Sequence, residues 1–191
     1  MRLFVAIELE EPVAERIVQL GDQLRRRVEA RAPHARLTWI PRDRLHLTVR
    51  FIGEVEETRS DEIRAALAWP LDARGFDVTF EGAGAFPMHG SPRVLWAGIT
   101  HGETELIALE QEVSARLRRC GLPVEDRPYR PHLTLARVRE AKGLRTDTLF
   151  EGLHGTLGTT AVRAITLFQS RLSPKGPAYR RLQSADLRSS V

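Results

Sequence analysis

Apolar residues along the chain switch between two spacings, and the switches mark out the elements. From residue 2 to residue 8 the run Leu3-Phe4-Val5-Ala6-Ile7 reads as a strand. Pro12 then begins a helix in its first turn, where the missing N–H costs nothing. Val13, Ile17, Leu20, Leu24 and Val28 recur at helical spacing and give one buried stripe. Residues 37–40 are extended, 41–44 form a turn, and 45–55 form a strong strand. Thr58 caps a second helix with Asp61 three residues on, and Trp69-Pro70 stops it. Residues 76–86 are extended but interrupted by glycines, which predicts a bulge or tight bend. A strand at 94–100 precedes a third helix carried by Leu106, Leu109, Val113 and Leu117, with Arg116, Arg118 and Arg119 in its last turn and Gly121 beyond. Residues 132–139 read as a strand and 145–153 as one short helix. Residues 161–172 and 179–187 read as a hairpin joined by Ser173-Pro174-Lys175-Gly176-Pro177. Irregular alternation with hairpin links favours an α+β fold over a doubly wound parallel sheet. No low-complexity linker divides the chain, so residues 1–191 are expected to form a single domain.

Composition narrows the class without naming a function. Hydrophobic residues at 42% and charged residues at 28% are ordinary globular values. No apolar run reaches the roughly 18 residues of a membrane span, and the first residues turn acidic too soon for a signal peptide. A single cysteine, Cys120, excludes an internal disulfide framework and suits a reducing cytoplasm, where it reads as a small apolar filler. The net charge of +4 is modest and carried mostly by arginine, which fits a phosphate-bearing substrate without demanding nucleic acid. A cytoplasmic monomer is the expectation.

The informative feature is an internal repeat. Arg44-Leu45-His46-Leu47-Thr48-Val49 recurs as Arg130-Pro131-His132-Leu133-Thr134-Leu135, each copy after a helix and a turn and each opening a strand. Six histidines and the threonines of this chain would give about 0.4 His-x-Thr triplets by chance, so one copy means little and two matching copies mean a great deal. Alternation puts His46 and Thr48 on one face of a strand and Leu47, Val49 and Phe51 on the other, and treats His132 and Thr134 likewise. If the two copies are related by a pseudo-two-fold, two imidazoles and two hydroxyls converge across a cleft. Arg130, two residues before His132, would stand at its mouth.

Imidazole titrates near pH 6.5, so one of a pair can take a proton from water while the other gives one to a leaving oxygen. A 2′,3′-cyclic phosphate suits this chemistry, because its ring is strained and its leaving oxygen needs only protonation. The threonine hydroxyls would donate to the non-bridging oxygens. The symmetry of the repeat leaves open which histidine is the acid. No metal or other cofactor is called for: His34, His89, His101 and His154 lie in turns without ligand spacing, and there is no His-Glu-x-x-His. A Walker loop and a Gly-x-Ser-x-Gly elbow are also absent. Trp39, Phe86 and Tyr179 are each able to stack on a base or to pack as core. Two other functions stay open: a phosphodiesterase for small cyclic phosphates, and a non-catalytic RNA-end binding module.

The sequence resembles the two-histidine (2H) phosphoesterase superfamily, and within it the bacterial RNA 2′,3′-cyclic phosphodiesterases of the 2′-5′ RNA ligase family. Besides the paired His-x-Thr-x motifs, the likeness rests on Arg2-Leu3-Phe4-Val5-Ala6-Ile7, Trp39-Ile40-Pro41 and Phe51-Ile52-Gly53-Glu54-Val55. It continues through Phe86-Pro87, Pro92-Arg93-Val94-Leu95-Trp96-Ala97-Gly98, Ala136-Arg137, Ser170-Arg171-Leu172, Gly176 and Tyr179. The resemblance implies a bilobal fold of two antiparallel sheets flanked by helices, with the site in the groove between them. It implies hydrolysis of cyclic-phosphate RNA ends to 2′-phosphates, with His46 as proton donor and His132 as proton acceptor, and reversible 2′-5′ joining of tRNA halves. Arg44 departs from the uncharged residue expected at its place, so no role is carried onto it.

Overall fold

In a computed structural model, which describes residues 1–123, 127–173 and 176–189, ten strands fall into two sheets of five. The first sheet holds β1 (Arg2–Ile7), β3 (Leu47–Glu54), β4 (Leu71–Arg74), β9 (Ala164–Ser173) and β10 (Gly176–Arg188), in the order β3-β1-β9-β10-β4. The second holds β2 (Arg36–Trp39), β5 (Phe76–Phe86), β6 (Val94–His101), β7 (Leu133–Glu140) and β8 (Thr156–Val162), in the order β2-β7-β6-β5-β8. Pairing is antiparallel throughout except where β4 runs parallel to β10. The helices are α1 (Glu11–Arg31), α2 (Glu57–Ala66), α3 (Glu103–Arg119) and the short α4 (Thr146–Leu149). This is the expected α+β class with two sheets.

The repeat in the sequence becomes a repeat in space. β1, α1 and β3 correspond to β6, α3 and β7: two neighbouring antiparallel strands joined through a helix. The helices are exchanged, since α1 packs on β7 and β8 of the second sheet while α3 packs on β3 and β4 of the first. The apolar stripe predicted for α1 is buried along its length, as is that of α3 through Leu106, Leu109, Val113 and Leu117. These stripes and the helix-facing sides of both sheets form one continuous core. The opposite face of the first sheet carries a separate small cluster, Phe4, Ala6 and Phe168, with Tyr179 against it. The ring of His46 lies against that second cluster.

Several expectations change in the structure. The N-cap of α2 is Glu56, with no side-chain cap hydrogen bond, and Thr58 lies inside the helix. The last hairpin is longer than expected and its first part is divided. β8 ends at Val162 in the second sheet and β9 begins at Ala164 in the first, so the chain changes sheets at Arg163. Gly176 and Pro177 belong to β10, while Pro174 and Lys175 of the expected loop lie outside the described residues. The bulge expected among the glycines of β5 is present, with Gly82 at φ +63° where the register slips between Glu81 and Ala83.

Candidate active site

β3 and β7 share more than a motif. Their burial patterns run in step for six residues, with Val49-Arg50 and Leu135-Ala136 each forming two successive buried positions. The cause is a β-bulge at the same place in both. Ala6 pairs with Thr48 and Val5 with Arg50, which leaves Val49 as the extra residue. Trp96 pairs with Thr134 and Leu95 with Ala136, which leaves Leu135 as the extra residue. A bulge inserts one residue and reverses the alternation beyond it. Phe51 therefore stands 44% exposed, directly opposite Phe4 on the cleft face. This corrects the expectation that Phe51 packs with Leu47 and Val49. The matching residue on β7 is Arg137, exposed and opposite Val94.

His46 and His132 each sit one residue before their strand begins, half-buried. His46 Nδ1 lies 2.8 Å from the carbonyl oxygen of Arg44, and His132 Nδ1 lies 2.7 Å from that of Arg130. A carbonyl only accepts, so each Nδ1 carries its hydrogen and donates it, which leaves Nε2 as the nitrogen that exchanges protons. Rings hold the imidazoles in place. Phe4 lies 4.8 Å and Tyr179 5.4 Å from His46 between centroids, and Phe86 meets His132 edge-on at 5.1 Å. Behind Phe86, Trp96 is seated over Gly84, where a Cβ would come within 2.3 Å of the indole.

Burial lowers the pKa of both imidazoles below the usual histidine value. The hydrogen bonds to the Arg44 and Arg130 carbonyls oppose the shift, and the positive charge of Arg137 adds to it. The same guanidinium acts on Tyr179. The charge of Arg137 thus acts on both histidines.

Thr48 and Thr134 are half-buried beside their histidines, as alternation requires. Arg130 is exposed and precedes β7 instead of lying within it; its carbonyl, not its side chain, makes the contact with His132. Arg44 plays the matching part for His46. Trp39 is turned away from the cleft: its strand partner Ala136 is buried in the helix-facing core, and Arg25 of α1 lies over its ring at 5.3 Å. The other four histidines are exposed, with His101 ending β6 instead of lying in a turn. Among the described residues no three His, Cys, Asp or Glu side chains group to hold a metal ion.

Strict alternation missed two features. One is Arg137, which it assigns to the wrong face. The other is the support of the β3 edge: the Tyr129 hydroxyl donates to the Thr48 carbonyl at 2.8 Å, and buried Arg50 donates to the Pro123 carbonyl at 2.9 Å and pairs with Glu110 at 3.6 Å. The segment that leads into His132 is thereby tied to the strand that follows His46.

The family model of the 2′-5′ RNA ligase superfamily matches residues 11–173. The chain belongs to that superfamily. It is 33% identical to the RNA 2′,3′-cyclic phosphodiesterase of Archaeoglobus fulgidus over 96% of this chain and 98% of that one. Its fold is similar to the crystal structure of TT0787 of Thermus thermophilus, with a TM-score of 0.77, 28% identity and the whole of both chains covered. It is also similar to Escherichia coli LigT complexed with 3′-AMP, with a TM-score of 0.72 and 27% identity over 97% of each chain. No helix among the described residues is long and apolar enough to cross a membrane.

Proposed function

We propose that this chain hydrolyses the 2′,3′-cyclic phosphate ends of RNA to 2′-phosphates without a metal ion, acting as one bilobal monomer in the cytoplasm. The observation that carries the reading is the pair of matching imidazoles, each with Nδ1 committed to a backbone carbonyl two residues earlier and each packed against an aromatic ring. The activity in the name of the Archaeoglobus relative, aligned over nearly the full length of both chains, supports the same substrate. A neighbour with 3′-AMP bound supports a cleft that accepts a nucleoside phosphate.

His132 Nε2 takes a proton from water as the water oxygen attacks phosphorus. The bond to the 3′ oxygen breaks, and protonated His46 gives that oxygen its proton, so the product is a 2′-phosphate beside a free 3′-hydroxyl. Thr48 and Thr134 donate to the non-bridging oxygens, and Arg137, with Arg130 at the mouth, offsets the charge gathering there. Ribose hydroxyl in place of water gives 2′-5′ joining, with tRNA halves among the substrates.

An end-group assay on RNA ending in a cyclic phosphate tests this. The expected product is the 2′-phosphate, formed equally well in chelator. His46→Ala and His132→Ala are each expected to lower kcat by about 10²–10⁴, and the double variant to fall little further, because the pair works as a unit. A 3′-phosphate product, or loss of turnover in chelator, sinks the mechanism. Comparing a cyclic mononucleotide with an oligonucleotide end separates RNA from small cyclic phosphates as the substrate.

A further inference from the structure

Both imidazoles are packed by rings, but the rings are arranged in a different order. On the first sheet Phe4 of β1 lies against His46 at 4.8 Å and is backed by Phe168 of β9, stacked on it at 5.2 Å. The strand register gives the equivalent positions on the second sheet. Phe4 pairs with Phe51 and Phe168, as Val94 of β6 pairs with Arg137 and Phe86. Ala6 pairs with Thr48 and Thr166, as Trp96 pairs with Thr134 and Gly84. Val94 thus stands where Phe4 stands, and it has no ring to offer His132. Phe86, in the place of Phe168, supplies the ring from one strand further away and meets the imidazole edge-on at 5.1 Å.

A ring that reaches across a strand needs something behind it. Trp96 lies there, 5.1 Å from Phe86, at the position where the first half-site has only the methyl of Ala6. The indole fits because Gly84 takes the place of Thr166: a Cβ on Gly84 would come within 2.3 Å of Cζ2 and 2.4 Å of Cη2. The indole N–H is enclosed and meets no acceptor among the described residues, so shape sets where the ring lies. Gly84, Trp96, Phe86 and His132 therefore stand in series, each seated on the one before.

We propose that Trp96, seated on Gly84, is a positioning residue for His132, acting through Phe86 and without a counterpart at His46. Its effect on rate rests on the hydrolase reading above, and it goes beyond that reading by naming what aims the second imidazole.

A methyl group at Gly84 tests the series. To restore ordinary carbon–carbon contact of about 3.5 Å the indole must retreat by about 1 Å. Gly84→Ala is expected to lower kcat on a nucleoside 2′,3′-cyclic phosphate by about 10–10², the scale of such a misplacement, and to change KM little. Trp96→Phe removes the part of the indole that overlies Gly84. Alone it weakens the backing of Phe86 and is expected to lower kcat about threefold. Gly84→Ala/Trp96→Phe is expected to return to the level of Trp96→Phe alone, because the methyl then has room.

Nuclear magnetic resonance of the unliganded protein separates positioning from a general loss of stability. In Gly84→Ala the carbon-bound ring hydrogens of His132 are expected to shift as Phe86 moves against them, while those of His46 stay in place. Phe4→Leu is expected to do the reverse. Equal shifts at both histidines, no shift at His132, or a double variant slower than Gly84→Ala overturns the proposal. If Gly84→Ala does not fold, the same comparison of the two histidines in Trp96→Phe decides it. Absence of wild-type turnover counts against the hydrolase reading, while the histidine shifts, which need no substrate, still decide the role of Trp96.

Discussion

The His46 and His132 half-sites agree for four residues and then part. His-Leu-Thr followed by an aliphatic bulge residue is common to both, as are the locked Nδ1, the aromatic neighbour and the lowered proton affinity. Beyond the bulge, Arg50 faces Ala136 in the alignment and Phe51 faces Arg137. The surroundings part as well. β7 is covered along its outer side by β2, whereas β3 ends its sheet, and its edge is met by Tyr129 and the Pro123 carbonyl. Acid–base chemistry needs two imidazoles, one to give a proton and one to take it, and a directional substrate needs two walls that differ. Duplication supplies the first, and divergence after the bulge supplies the second.

Making the first half-site resemble the second is expected to have the largest effect, and the effect is on stability. Arg50 and Glu110 are nearly enclosed, with side chains 8% and 12% exposed. Arg50→Ala leaves the Glu110 carboxylate and the Pro123 carbonyl without that partner, and breaking a buried pair from one side costs about 3–5 kcal/mol. Denaturant unfolding measures it. A loss below about 1 kcal/mol would mean that water replaces the guanidinium and that the β3 edge does not depend on it.

Removing the charge that distinguishes the second half-site should act on chemistry instead. Arg137→Met is expected to lower kcat by about 10²–10³, the usual cost of losing one donor to a developing oxyanion. It should also move the pH profile. In the free enzyme one imidazole must be protonated and the other neutral, and both are shifted down, so the optimum of kcat/KM lies on the acid side of the ordinary histidine value of about 6.5. Without the cation both values rise and the optimum moves toward alkaline pH. A rate loss with an unmoved profile would place Arg137 away from the histidines.

The sequence made the paired half-sites legible because His-x-Thr spans a spacing of two, and alternation holds over that distance. It failed one step later. Neither Val49 nor Leu135 is a glycine or proline, so nothing local marks the bulge, and Phe51 and Arg137 were hidden by the rule that located the histidines. The signal was present in another form, since Arg137 lies in the stretch of motif that carried the family resemblance. Helices α1 and α3 were legible from their apolar stripes. β4, only four residues long, was not, and the passage from β8 to β9 was masked because β-type sequence continues through Arg163 while the chain changes sheets. The roles of Tyr129 and Arg50 depend on contacts 81 and 73 residues away, which no local pattern encodes.

The smallest expected effect tests whether the two half-sites share their low proton affinity. Burial disfavours the imidazolium in the folded state, so both histidines have folded pKa values below their unfolded value near 6.5. Between those values the unfolded chain binds more protons than the folded one, and stability rises with pH. The stabilising contribution is therefore complete above the unfolded value. It declines as the pH falls through about 6.5 toward the folded pKa, by about 1.4 kcal/mol for each pKa unit of separation at each histidine. Replacing both with glutamine removes this titration while keeping a polar side chain. The wild type is expected to lose more stability than His46→Gln/His132→Gln between pH 7.5 and 5.5, and each single variant should recover part of the difference. If one single variant recovers all of it, the two settings are not equivalent. The acid and base roles would then be set apart before substrate binds, by the burial of one imidazole and not by the charge of the phosphate.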